Sequence, residues 1–267
     1  MATWDNLKDC LDSLAESKRF ARLWWRDDDA VEASPQLAEL LTVARATKVT
    51  PALAVIPRDQ TDSLVEALAA SAVDYYVLQH GYAHEDHSDP ARGEKKQELA
   101  TGAGLEKLSR QLVEGRIRLA RVFGGRFLPV LVPPWNRIDR ELVALLPALG
   151  FSGLSTFAGA GGEEALLRID CHIDLFDWKP RRSFKGEGRL LGEVCALLSG
   201  DACEGVGAPA LWGVMTHHLY HERDAWRFLT QLFSTLQEHE AVRFADAREL
   251  FGSGEPERTA PVAEGVS

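Results

Sequence analysis

Arg22-Leu23-Trp24-Trp25-Arg26-Asp27-Asp28-Asp29 is an apolar run that ends in three consecutive carboxylates. It predicts a short strand over 22–26, with charge concentrated where that strand stops. Upstream, Trp4, Leu7, Leu11 and Leu14 recur at helical spacing and predict an amphipathic opening helix. Downstream, Ser34 can cap a helix that Pro35 begins, and Leu37, Leu40 and Leu41 give that helix a face to bury. The same alternation continues along the chain. Strands are predicted at 51–56, 75–78, 127–132, 153–157, 169–176, 210–216 and 242–244. Between them, helices are predicted at 61–70, 94–122, 140–149, 188–198 and 224–236, with Gly102 and Gly104 positioned to break the start of the long one. Strands alternating with helices imply a parallel sheet, and so many repeats without a phosphate-binding glycine motif favour a closed β/α barrel over an open sheet.

The 267 residues, 45% apolar and 26% charged, suit one barrel-sized domain over 1–251. The remainder, 252–267, is rich in Gly, Pro and Glu without periodicity and is expected to be a disordered tail. No run of about 18 apolar residues offers a membrane span, and the N-terminus lacks the basic-then-apolar layout of an export signal, so a cytoplasmic location is expected. Cys10, Cys171, Cys195 and Cys203 have no Cys-x-x-Cys spacing and read as buried, reduced thiols. A formal net charge of -10 argues against nucleic acid, whose affinity rests on Lys and Arg neutralising phosphates, and favours a small-molecule or saccharide partner.

In β/α barrels chemistry is built at the C-terminal ends of the strands, and the conspicuous polar residues of this chain fall there. Three adjacent carboxylates repel one another unless a cation or proton is shared, so Asp27, Asp28 and Asp29 point either to a metal or to a solvated acidic turn. His80-Gly81-Tyr82-Ala83-His84 follows an apolar strand, and two imidazoles four residues apart can converge on one ion if the loop takes a helical turn. Asp86 and His87 add ligand-competent atoms nearby, and His217 and His221 form a second pair of the same spacing. Val132-Pro133-Pro134-Trp135-Asn136 ends the next strand in a stiff loop, where a fixed N–H can serve an oxyanion or Trp135 can pack as a lid. Asp174 and Trp178 place an acid beside an indole, a pairing common both in sugar sites and in ordinary barrel rims. His217 and His218 end the strand from Ala210, where one imidazole, facing inward, can donate a proton to a leaving group.

In chain order these segments resemble the five motifs of the NodB-homology polysaccharide deacetylases, family 4 of the carbohydrate esterases. The counterparts are Trp25-Arg26-Asp27-Asp28-Asp29, His80-Gly-Tyr-Ala-His84, Val132-Pro133-Pro134-Trp135, Asp174-x-x-x-Trp178 and Val214-Met215-Thr216-His217. The resemblance implies a distorted (β/α) barrel of seven or eight strands. It implies Asp27 as general base, His217 as general acid, and Asp28, His80 and His84 as ligands of one divalent ion, zinc or a similar metal. Pro134, Trp135 and Asn136, with Asp174 and Trp178, would line the substrate and oxyanion site. Asp29 stands where the family has glycine, which leaves the register open by one residue, with Asp28 as base and Asp29 as ligand. Val132 replaces an arginine that orients the catalytic aspartate in the family, so Arg26 or Arg137 would have to substitute, and Gly81 replaces a small hydroxyl residue. The expected activity is metal-dependent hydrolysis of an N-acyl C–N bond on an amino sugar or similar small molecule. The rivals are a catalytically weakened metal- or ligand-binding barrel, and a phosphoesterase using two ions.

Overall fold

A computed structural model describes residues 1–158, 166–179, 182–200 and 210–252. Residues 159–165, Cys203 and the expected tail beyond Gly252 lie outside the described residues.

The chain opens with α1 (Trp4–Glu16), capped by the Thr3 hydroxyl and buried through Leu7, Leu11 and Leu14. It then enters β1 (Ala21–Ala30), α2 (Pro35–Thr47), β2 (Pro51–Val55), α3 (Asp62–Ala70) and β3 (Tyr76–His80). After a long loop come α4 (Leu105–Phe123), β4 (Phe127–Val132), α5 (Arg140–Leu145) and β5 (Gly153–Leu154). Four short strands follow: β6 (Leu167–Arg168), β7 (Ile173–Asp174), β8 (Phe176–Asp177) and β9 (Ser183–Phe184). The chain continues through α6 (Glu187–Ser199), β10 (Ala210–Thr216), α7 (Arg223–Gln237), β11 (Val242–Phe244) and α8 (Ala247–Phe251).

The main sheet runs β6-β5-β4-β3-β2-β1-β10-β7, all parallel, with β11 added beside the start of β1. Its two ends belong to one piece of chain. Residues 167–174 pair with β5 on one side, where the Cys171 N–H donates to Thr156 O at 2.9 Å, and with β10 on the other, where the His172 N–H donates to Gly213 O at 2.8 Å. The eight strands of the path therefore close as a distorted barrel whose last stave is a broken segment. The continuous strand expected at 169–176 is broken because the segment must turn from one neighbour to the other.

Strand alternation sorts the core into layers. Trp24, Ala52, Ala54, Leu78, Val130, Val132, Cys171 and Met215 fill the barrel interior. Leu23, Trp25, Leu53, Val77, Ile173 and Val214 face outward, against α1, α2, α6 and α7. A third cluster, centred on Leu108, Leu112, Leu131, Leu142 and Leu146, packs α4 and α5 on the sheet. α8, which the sequence pattern did not predict, sets Phe251 edge-on to Trp24 with centroids 5.8 Å apart.

Other elements differ in extent. β1 continues to Ala30 and so contains the three aspartates instead of stopping before them. α4 starts at Leu105, after a single turn at Thr101–Ala103, because Gly104 adopts φ 100 and breaks the helix there. α5 ends at Leu145, short of the expected 149. Only Cys171 of the described cysteines is buried; Cys10 and Cys195 are half-buried, and all three are free thiols.

Candidate metal and acid–base site

The C-terminal ends of β1, β3, β4, β7 and β10 meet at one mouth, and β1 supplies its centre. In a regular strand Arg26 and Asp28 point one way and Asp27 the other. Arg26 and Asp28 follow Trp24 into the interior, and Asp27 follows Trp25 outward. Regularity then fails. The β1–β2 pairing shifts register between Asp27 and Ala30, and Asp29 adopts φ 71, a left-handed conformation uncommon for a residue with a Cβ. This bulge turns the Asp29 carboxylate into the mouth, next to that of Asp28.

Asp29, His80 and His84 each present one ligand-competent atom, all within 4.8 Å of one another. His80 Nε2 lies 3.1 Å and His84 Nε2 3.3 Å from Asp29 Oδ1. Neither approach makes a hydrogen bond, and that buried carboxylate oxygen has no such partner. The His80 Nδ1 is 3.0 Å from Val132 O, a carbonyl that can only accept. A proton on Nδ1 leaves the Nε2 lone pair facing a carboxylate oxygen, which is repulsive unless a cation or a second proton lies between. Burial works against charge on either partner, yet each stabilises the charged form of the other. The Asp29 carboxyl is held well below the ordinary carboxylate range by the His80 imidazole, and Asp29 and Asp28 raise His80 above the ordinary histidine range. Burial and the neighbouring His80 charge lower His84 instead.

The expectation that Asp28 joins the two histidines differs from the structure. Asp28 is 1% exposed and paired with Arg26, whose Nε and Nη2 reach its two oxygens at 2.8 and 3.0 Å. Arg26 is fully buried and donates further to Ser155 Oγ at 2.7 Å, Thr156 O at 3.3 Å and Asn136 Oδ1 at 2.9 Å. Of Arg26 and Arg137, it is therefore Arg26 that holds an aspartate of the run, two residues after it. Arg137 instead donates to Lys96 O at 2.8 Å.

Asp27, expected as the general base, lies on the other face of β1 from Asp28. Asp27 is wholly buried on the outward face, and its oxygens take the Thr216 hydroxyl at 2.5 Å and the His218 N–H at 3.0 Å, with His218 Nδ1 at 2.5 Å. It faces away from the mouth because strand alternation puts it opposite Asp28.

His217 follows Met215 inward and His218 follows Thr216 outward. His217 Nε2 lies 3.9 Å from Asp28 Oδ2, and its Nδ1 lies 4.0 Å from Asp174 Oδ1 without a hydrogen bond. Asp174 accepts from the Phe176 N–H and the Trp178 indole, both at 2.9 Å, and burial raises its pKa. The Trp178 ring stands edge-on to His217, centroids 4.8 Å apart. Across the mouth Trp135, at φ 54, sets its ring 4.3 Å from that of His84, and Asn136, at φ 56, turns its amide to Arg26. Pro134 packs beside Gly81, where an added Cβ would lie 2.0 Å from Glu98 Oε2 and 2.7 Å from the Pro134 ring. That close approach explains glycine in the second motif.

Glu98 escaped sequence reasoning. Buried at 2% exposure, it accepts the Tyr82 N–H at 3.1 Å and the Ala83 N–H at 2.7 Å, fixing the turn between His80 and His84. No local pattern marks it, since it lies in a stretch whose composition reads as helix. Ser155 was missed because its partner, Arg26, is 129 residues away in sequence. Asp86 and His87 lie nearby, but among the described residues only Asp29, His80 and His84 form a cluster of potential metal ligands.

Compared as sequence, the chain matches no family model and no curated protein. Compared as structure, it matches a protein described as a polysaccharide deacetylase from Mycobacterium smegmatis at TM-score 0.58 and 15% identity, covering 85% of this chain and 87% of that one. A family 4 carbohydrate esterase from Streptococcus mutans matches at TM-score 0.56 and 14% identity, over 92% and 91% of the two chains. A family 4 acetyl xylan esterase from Clostridium thermocellum, solved with a cobalt ion, matches at TM-score 0.51 and 13% identity, over 86% and 90%. The chain therefore has the NodB-like fold of the family 4 carbohydrate esterases. Among the described residues no helix is long and apolar enough to cross a membrane.

Proposed function

We propose that the chain is a metal-dependent deacetylase that hydrolyses an N-acyl bond on an amino sugar or similar small molecule. The observation that carries this reading is the position of Asp28, buried between Arg26 and His217 and adjacent in sequence to the Asp29, His80 and His84 cluster. Two imidazoles and one carboxylate are the donor set of a catalytic zinc-type site with an open position, so these three residues would hold one divalent ion, with zinc the favoured metal. When bound, such an ion polarises a carbonyl and acidifies water.

The protein's own groups divide the remaining work. Asp28, its carboxylate oriented by both arms of the Arg26 guanidinium, takes a proton from the attacking water. As the water oxygen bonds to the acyl carbon, charge develops on the carbonyl oxygen, for which the Trp135 backbone N–H is the proposed donor. The C–N bond then breaks, its electron pair goes to nitrogen, and His217 supplies the proton that lets the amine depart. Asp174 faces the far nitrogen of His217, its Oδ1 4.0 Å from Nδ1. Trp135 and Trp178 offer ring faces on either side for a sugar.

The test is release of acetate and a free amine from a panel of N-acetylated amino sugars and chito-oligosaccharides by the zinc-loaded protein. Turnover that disappears on chelation and returns with metal supports the proposal. A protein that binds one ion per chain yet releases nothing from the panel would overturn it in favour of a binding barrel.

A further inference from the structure

Behind the mouth, on the outward face of β1 and β10, lies a buried polar network that the proposed chemistry does not use. The Trp25 indole donates to Thr216 Oγ1 at 2.8 Å, and the Thr216 hydroxyl donates to Asp27 Oδ2 at 2.5 Å. The same oxygen takes the His218 backbone N–H at 3.0 Å, while Asp27 Oδ1 faces His218 Nδ1 at 2.5 Å. Asp27 and Thr216 are fully buried and His218 is 1% exposed. A buried carboxylate is expensive unless its oxygens are well paired, and here both are. The network grips the chain on both sides of one residue: the side chain of Thr216 before it and the backbone and side chain of His218 after it. The residue between is His217, whose own N–H donates to His221 Nε2 at 3.4 Å. Among the described residues the His217 ring has no hydrogen-bonded anchor, since Asp28 and Asp174 stand 3.9 and 4.0 Å away.

We propose that Asp27 is a positioning residue that aims His217: it clamps Thr216 and His218, and so fixes the backbone from which the His217 ring enters the mouth. This rests on the reading of His217 as the proton donor to the departing amine. β1 therefore serves the site from both faces, Asp28 acting on substrate from the inner one and Asp27 acting through His217 from the outer one.

The consequence is selective. A misaimed His217 harms substrates whose amine cannot leave unprotonated and spares an ester whose phenolate leaves without a proton. The experiment compares an N-acetylated chito-oligosaccharide with para-nitrophenyl acetate in wild type, Asp27→Asn and Thr216→Val, each zinc-loaded and with metal content measured. The expected result is a loss of about 100-fold in kcat on the amide, the scale of a displacement near 1 Å. KM, metal content and ester turnover should stay close to wild type. Equal losses on amide and ester in a variant that keeps its metal would show a merely structural role and overturn the proposal. Thr216→Val removes one grip without touching the charged pair, so it decides the matter if Asp27→Asn does not fold. If the wild type hydrolyses neither probe, the proposed function fails separately. Crystal structures then judge the clamp: a His217 ring moved by more than about 0.5 Å in either variant supports it, and an unmoved ring in both refutes it.

Discussion

The chain contains two histidine pairs of identical spacing, His80 with His84 and His217 with His221, and they do different things. The first pair converges. His84 takes the left-handed conformation at φ 55, which turns its ring back toward His80, and both Nε2 atoms face the same oxygen of Asp29. The second pair diverges: His217 enters the mouth, while His221 lies beneath it, accepts the His217 N–H and packs against Trp226 with centroids 5.2 Å apart. Spacing brings two imidazoles within reach of each other; the backbone between them and the neighbouring carboxylate decide whether they share an ion.

The largest effect should separate the pairs outright. His80→Ala or His84→Ala is expected to abolish tight divalent-ion binding and, with it, turnover, while leaving the fold intact because the site sits at the barrel mouth. His221→Gln should keep its metal. Equilibrium dialysis with elemental analysis reads the difference, and metal loss in His221→Gln would erase the contrast.

Next in size is the proton chemistry proposed for His217 and Asp28. His217→Ala and Asp28→Asn should each retain the ion and lose ~100- to 10,000-fold in kcat on an N-acetylated substrate. A rate near wild type in either would remove that residue from the reaction.

Arg26 tests how the inner face is held together. Arg26→Met leaves Asp28 as a buried carboxylate without its partner, and the expected cost is about 3–5 kcal/mol, read from urea denaturation. Ser155, Thr156 and Asn136 also lose their donor. A loss below about 1 kcal/mol would mean that water reaches Asp28 and relieves it.

The smallest effect is the pH signature of His221. Burial and the neighbouring His217 and His218 outweigh the attraction of Asp27 and push its imidazole down from 6.5 to about 4. The folded state therefore holds it neutral and the unfolded chain binds the proton more tightly. Its contribution to stability is complete above pH 6.5 and is lost as the pH falls toward 4, a change on the order of 3 kcal/mol. His221→Gln should flatten the stability curve between those values. A wild-type slope retained in His221→Gln would place the titration elsewhere.

Much of this was legible in the sequence. The strands announced themselves as apolar runs stopping at polar residues, and the parallel barrel followed from their alternation with helices. The same logic gathered Asp27–Asp29, His80, His84, Asp174, Trp178 and His217 at one end of the barrel. Which aspartate faces His80 and His84 was left open by one residue, because alternation assumes a regular strand and Asp29 sits where the register against β2 shifts. Arg26 could be considered as a substitute cation but not chosen over Arg137, since its partners Ser155 and Asn136 come from distant strands. Glu98 and the Asp27–His218 pair depend wholly on tertiary contact. The break between β6 and β7 was hidden for a different reason: local propensity cannot show that one segment must satisfy two neighbours in turn.

The central claim is that the bulge in β1 divides two neighbouring carboxylates, giving Asp29 to the ion and Asp28 to the proton. Zinc titration of metal-stripped Asp28→Asn and Asp29→Asn by calorimetry tests it most directly. The account predicts that Asp28→Asn takes up one ion per chain with affinity close to wild type and that Asp29→Asn binds far more weakly. Weak binding in Asp28→Asn with wild-type affinity in Asp29→Asn would contradict it.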